Sequence, residues 1–247
     1  MTASAQYVYG VVPAKRRAPA GTGVARRRLR TIQTADASAI VSDVPGGELH
    51  AGRDDLLAHA RVLERALEAG VVLPMRFGML MADPDSVRDE LLREHRDDLL
   101  DQLELFDGKV ELHVRAMYDE TALMSELIES NPGIAARNER LGEQPDEATY
   151  YARIELGQLV AEGVERARAA DASAIFDALE PLAVAAQAGE PDHEHFAAQF
   201  TFLVERELLS DFDQAVDDLG RRNDGRLRIK YTGPLPVYSF VQLPERV

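Results

Sequence analysis

The side chains best suited to holding a metal ion stand in Asp192-His193-Glu194-His195, where two imidazoles one residue apart would project to the same side of a strand and the carboxylates add oxygen ligands. The run follows Gly189 and Pro191, neighbours that favour a solvated loop instead. His59 and His95 lie on or beside the apolar faces of two expected helices, and a hydrogen-bonded structural imidazole accounts for them better than a catalytic one. The many carboxylates fall on polar helix faces and read as solvated surface. With no cysteine in the chain, disulfides, thiolate ligands and thiol nucleophiles are excluded, which suits a reducing compartment such as the cytoplasm. The glycines form neither a G-x-G-x-x-G turn nor a G-x-x-x-x-G-K-[ST] cradle, and G-x-S-x-G and H-E-x-x-H are absent. No catalytic, cofactor-binding or metal-ligating residue is therefore assigned, and a protein that works by binding other chains is expected rather than an enzyme.

The 247 residues carry a net charge of −15, with 45% hydrophobic and 29% charged side chains. That is the composition of a globular chain able to bury real cores. The basic residues Lys15, Arg16, Arg17, Arg26, Arg27, Arg28 and Arg30 all precede the first acid, Asp36, so the rest of the chain is more acidic than the total suggests. Such a surface repels nucleic acid and anionic lipid. The basic stretch lies among Pro13, Pro19, Gly21 and Gly23 and reads as a solvated loop, with no aromatic residues between the arginines to stack bases. No stretch approaches 18 consecutive apolar residues, and the N-terminus lacks the pattern of a signal peptide.

Elements that would position these side chains follow from periodicity. Tyr7–Val12 predicts a strand buried on both faces, with further strands near Leu29–Gln33 and Ala39–Val44. Leu56, Ala60, Leu63 and Leu67 predict one face of a helix that begins near Asp54 and Asp55 and ends at Gly70. Val71–Met81 predicts a strand with Pro74 near its start or on an edge. Asp83 and Pro84 open a helix whose face runs through Val87, Leu91, His95, Leu99 and Leu103 and stops at Asp107 and Gly108. Val110, Leu112, Val114, Ala116 and Tyr118 alternate with Glu111, His113, Arg115 and Met117, as in a half-buried strand. Beyond Asp119 the pattern is helical near 121–130, breaks at Asn131-Pro132-Gly133, and resumes as a long helix from about Pro145 to Ala170. Ile175, Leu179, Leu182 and Ala186 then mark a further helix. Phe196–Val204 reads as a strand, Leu209, Phe212, Val216 and Leu219 as a short helix, and Leu227, Ile229 and Tyr231 as a strand after the Asn223-Asp224-Gly225 turn. The expectation is an α+β chain of two domains, residues 1–118 and 119–247, the second richer in helix.

Four stretches together resemble the gas vesicle protein F/L family (GvpL/GvpF). They are YVYGVV at Tyr7–Val12; AHARVLERALEAG running into VVLPMRFGMLM at Ala58–Met81, with Leu73, Pro74, Arg76, Phe77 and Gly78 in a Leu-Pro-x-Arg-Phe-Gly core; FDGKVELHVR at Phe106–Arg115, with its Gly-x-x-Glu; and TGPLPVYSFV at Thr232–Val241. They occur in the family's order and span nearly the whole chain. Leu235 stands where the family commonly has an aromatic residue.

The resemblance implies a ferredoxin-like N-terminal domain and a helix-rich α+β C-terminal domain. It also implies a non-enzymatic accessory or minor structural protein of gas vesicles. Such a protein would bind the major gas vesicle shell protein and other gas vesicle accessory proteins, limit shell-protein aggregation and assist nucleation, in the cytoplasm and at the vesicle, with no cofactor, nucleic acid or lipid membrane involved. The alternative is a ferredoxin-like small-molecule-binding regulatory module. Tyr231, Pro234, Pro236, Tyr238 and Phe240, with the exposed edge of the first sheet, are the candidate protein-binding residues.

Overall fold

The structure is a computed structural model that describes residues 4–44, 52–142, 150–189 and 195–242. The α+β expectation holds, with two antiparallel sheets and helices. The chain forms two compact units, Met1–Glu111 with Gly233–Val247 as the first and Leu112–Thr232 as the second. This division differs from the expected boundary at 118/119, because the last segment returns to the first unit. Periodicity along a chain reports local elements, and carries no signal that a C-terminal segment closes an N-terminal body.

In the first unit the central strand is β1 (Ala5–Pro13), whose residues Gln6 to Val12 are all buried. Its sheet runs in the order β2 (Arg30–Gln33), β3 (Ala37–Val44), β1, β4 (Leu73–Pro74), and β5 (Leu80–Met81) also pairs with β1. The single strand expected over Val71–Met81 is thus two short ones. Pro74 has no N–H to give a ladder and sits at the sheet edge, while Gly78 turns the chain with φ 89°. Gly10 lets this segment close on β1, since a Cβ there would lie 2.7 Å from the Leu73 carbonyl oxygen and 2.9 Å from Leu63 Cδ2.

Helix α1 (Arg53–Glu68) covers β1 with His59, Val62, Leu63, Ala66 and Leu67. The buried face is rotated from the expected one, and Leu56 is 50% exposed. Counting apolar residues alone overlooks an imidazole that is buried because its nitrogens are satisfied. Asp83 caps α2 (Pro84–Ser86) by accepting from the N–H groups of Asp85 and Ser86, with Pro84 in the first turn, as expected. The single helix expected beyond it is instead a π-helical stretch, Val87–Arg93, then a break, then α3 (Arg96–Leu105). Val87, Leu91 and Leu92 are buried along the π-helical stretch. His95, expected on the apolar face, is half-buried at the break before α3.

The second four-stranded sheet runs β7 (Ala185–Ala188), β8 (Phe196–Glu205), β6 (Lys109–Tyr118), β9 (Leu227–Leu235). In the second unit α4 (Glu120–Ser130) is capped by Asp119, and α5 (Pro132–Gly142) has no counterpart among the expected elements. Helix α6 (Tyr150–Leu179) runs unbroken for 30 residues; the start expected at Pro145 lies outside the described residues. Ile175 and Leu179 are buried at its end, whereas Leu182 lies in a 3-10 turn and Ala186 in β7, because Pro181 cannot continue the helical ladder. Helix α7 (Leu209–Arg222) buries Phe212, Val216 and Leu219 as expected. A run of rings forms the core: Phe176 to Phe200 at 5.4 Å, Phe200 to Phe202 at 5.9 Å and Phe202 to Phe212 at 5.3 Å.

Replacing Gly10 by Ala should lower unfolding stability by about 2 kcal/mol, since the new methyl meets a backbone oxygen that cannot step aside. Urea unfolding followed by circular dichroism measures this, and an unchanged midpoint would contradict the close approach.

Candidate functional site

Tyr7 and Tyr9 are two apart on β1 and so project to the same side of the sheet, where α1 lowers His59 between them. The Tyr7 and Tyr9 rings are 4.8 Å apart, His59 stacks on Tyr9 at 5.6 Å, and Phe77 meets His59 edge-on at 5.7 Å. The Tyr7 hydroxyl accepts the Gly78 N–H at 3.0 Å and lies 2.9 Å from His59 Nδ1. Its own proton is therefore free to go to Nδ1. The other imidazole nitrogen bonds the Met75 carbonyl, which fixes the neutral Nε2–H tautomer. Tyr9 accepts the Val24 N–H at 2.7 Å and pairs with the Ser42 hydroxyl at 2.9 Å. Burial pushes both tyrosine hydroxyls up, and pushes His59 down to about 4 despite the opposing pull of the Met75 carbonyl. These groups are held in their neutral forms and fasten β1, α1, the 75–78 turn and the loop at Val24 to one another.

The C-terminal segment is fastened to the first unit in a second way. Glu111, expected on the polar face of β6, is fully buried. Its carboxylate accepts the Ser239 N–H at 2.7 Å and the Ser239 hydroxyl at 2.9 Å. Gln242 donates its N–H to Gln102 Oε1 at 2.7 Å, and Gln102 Nε2 donates to the Gln242 carbonyl at 2.9 Å. Between these ties the chain turns through Val237, which is buried, and Tyr238, which is 39% exposed. Burial, with the Glu64 and Glu111 carboxylates nearby, pushes the Tyr238 hydroxyl up to about 12.

The five candidate binding residues are divided between the two units. Tyr231 belongs to the second unit, where it is half-buried and stacks on Phe212 at 6.0 Å, and burial with Asp213 beside it raises its hydroxyl. Pro234, Pro236, Tyr238 and Phe240 belong to the first unit, and of these Pro234 is exposed, Pro236 buried and Phe240 half-buried. Arg76 is exposed. His195 is exposed and its Nδ1 lies 2.6 Å from Glu120, while Asp192, His193 and Glu194 lie outside the described residues. Among the described residues no group of three or more His, Asp or Glu side chains could hold a metal ion.

A polar knot absent from the sequence expectations lies in the second unit. Arg226 binds Asp171 through two nitrogens, at 2.8 and 2.9 Å, and Glu126 at 2.5 Å, while the Tyr118 hydroxyl donates to Asp171 at 2.7 Å. The paired carboxylates raise the Arg226 guanidinium. Only the arginine following an Asn-Asp-Gly turn hinted at this tie.

In both units, polar side chains withdrawn from water join segments that are distant in sequence. Over residues 5–242 the sequence matches the family described as Gas vesicle synthesis protein GvpL/GvpF, and the chain belongs to that family, with a gas vesicle accessory role. It is 36% identical to gas vesicle protein F of Streptomyces sp. (strain CB03234), over 96% of this chain and 99% of that one. It is 27% identical to gas vesicle protein F of Dolichospermum flosaquae, over 78% of this chain and 79% of that one. The fold is similar to the crystal structure of gas vesicle protein GvpF from Anabaena sp. PCC7120, with a TM-score of 0.87 at 24% identity, covering 98% of this chain and all of that one. The four stretches that carry the family resemblance supply the fasteners: Tyr7 from the first, His59, Phe77 and Gly78 from the second, Glu111 from the third and Ser239 from the fourth.

His59 gives stability a sign with pH. Its pKa falls from 6.5 in the unfolded chain to about 4 in the folded one, so the unfolded chain takes up the proton first. The contribution is whole above pH 6.5 and is lost as the pH falls toward 4, amounting to about 3 kcal/mol. Unfolding stability measured at pH 7 and pH 4.5 should fall less in His59→Gln than in the parent, and parallel losses would refute this. Glu111→Ala leaves both Ser239 donors without that acceptor and should cost about 2 kcal/mol. Hydrogen exchange at Phe240 and Val241 should quicken in this variant well before that of β1.

Proposed function

We propose that this chain is a non-enzymatic gas vesicle assembly factor, acting in the cytoplasm and at the growing vesicle. It binds the major shell protein and other accessory proteins, holds the shell protein back from aggregation and helps its assembly begin. The observation that carries this reading is the family match over residues 5–242. Physical chemistry makes it workable. An acidic chain stays dispersed at high concentration. The strands β2 and β9 end their sheets, edges to which a β-rich client could add a strand, and Tyr238 offers a half-open aromatic ring. Rigid fasteners serve such a carrier, because a preformed docking surface loses little entropy when the client arrives.

Co-expression with the shell protein tests the proposal. Affinity capture should retain the shell protein, and the soluble share of the shell protein should rise several-fold. Absence of both would overturn the reading, and a ligand-dependent rise in melting temperature in their place would favour a small-molecule-binding module. Tyr238→Ala should weaken capture about tenfold with little change in melting temperature. A collapse of melting temperature would instead make Tyr238 a core residue.

A further inference from the structure

The arginine-rich stretch between β1 and β2 is fastened along its length. The Tyr9 hydroxyl accepts the Val24 N–H at 2.7 Å, and Asp55 Oδ1 at the start of α1 accepts the Ala25 N–H at 2.9 Å. Gly23 donates its N–H to the Arg27 carbonyl at 2.9 Å, and Thr22 pairs with Arg28 across an antiparallel bridge. From α1, Arg65 donates to the carbonyls of Ala20 at 2.5 Å and Thr22 at 3.3 Å, and Arg16 reaches the Val71 carbonyl at 2.9 Å. Ala25 and Arg26 both hold left-handed backbone, with φ 51° and 55°, a conformation that these anchors rather than local preference impose.

Arg16 and Arg65 are engaged in those ties. Arg26, Arg27 and Arg28 are exposed, and no ion pair joins them to a carboxylate among the described residues. Other arginines of this acidic chain do find carboxylates: Arg30 meets Asp43 at 3.0 Å, Arg96 meets Asp36 at 2.8 Å and Arg226 meets Asp171 at 2.8 Å. Asp43, whose charge Arg27 also stabilises, is already bonded to Arg30 and Gln6. Beside the tip an open groove runs between the loop and α1. Arg26, Arg61 and Leu57 line it, with Asp54, Glu64 and Glu68, and Leu57 is 42% exposed.

We propose that the Arg26–Arg28 tip is a docking site for a short acidic segment of another protein, whose carboxylates pair with the three guanidiniums while an apolar side chain rests on Leu57. A held loop loses little entropy on binding, and guanidinium forks match carboxylates in pairs of hydrogen bonds. The neighbouring charges select a short segment. A nucleic acid carries a phosphate charge every few ångströms and an anionic bilayer is a continuous sheet of charge, so either would run past the tip onto Asp54, Glu64 and Glu68 in a chain of net charge −15. No aromatic ring stands between the arginines to stack a base, whereas Leu57 offers a peptide an apolar rest. The site goes beyond the carrier reading and does not depend on it, since its probe contains no shell protein.

The probe is a fluorescein-labelled peptide of about ten residues, aspartates and glutamates around one central leucine, and anisotropy with the full chain reads its binding. In about 50 mM salt the dissociation constant should be about 100 μM, weakening about tenfold at about 300 mM. The same peptide with asparagine and glutamine in place of the acids should not bind. Arg26→Glu, Arg27→Glu and Arg28→Glu together should abolish binding with an unchanged melting temperature. Arg27→Gln with Arg28→Gln, which keeps bulk and removes charge, should weaken it about tenfold, and Leu57→Ala about threefold. No binding at low salt, equal binding of the neutral peptide, or arginine variants that bind like the parent would overturn the proposal. Tighter binding of single-stranded DNA or phosphatidylserine vesicles than of the peptide would overturn the choice of a protein segment.

Discussion

One hydroxyl group holds the first unit to its shape. Tyr7 stands on a strand that is buried on both faces, and its oxygen accepts from Gly78 and faces His59 Nδ1. Each contact joins β1 to a different element, a turn on one side and α1 on the other. A buried hydroxyl left unmatched would cost about 1–3 kcal/mol, so the 75–79 turn must close as it does and α1 must present His59 rather than Leu56. The rotation of α1, the placement of Phe77 and the neutral state of the imidazole follow from that one constraint.

The same logic repeats at Glu111 and Arg226. A carboxylate withdrawn from water needs hydrogen bonds, and Ser239 supplies two, which fixes the path of the C-terminal segment. Arg226 gathers Asp171 and Glu126, and with them the ends of elements that are far apart in sequence. Apolar packing provides the bulk of the driving force in both units. The polar ties decide which segments meet.

Strands and helices with a clean period were legible in the sequence: β1, β8, the alternation of β6, the apolar face of α7 and the Asp83 cap. What escaped was set by polar burial. His59 and Glu111 belong to types that periodicity assigns to the surface, so the face of α1 was misplaced and β6 was expected to show Glu111 to water. The π-helical stretch at Val87–Arg93 escaped because it departs from the period used to find helices. The family motifs named the right residues without their partners, since a motif lists what recurs along a chain and is silent on what meets across it. Tyr231 and Tyr238 looked like one aromatic group by spacing, yet the chain passes from one compact unit to the other between them.

That passage bears on the order in which the protein is made. The first unit is built from residues that leave the ribosome early together with a segment from Gly233 onward that leaves after the whole of the second unit. Its central strand and Glu111 are therefore synthesised long before Ser239 exists to receive them, and the nascent chain passes through a stage in which that carboxylate is still open to water. Closure of the first unit thus waits on the second unit having been made, and the order of synthesis sets the schedule.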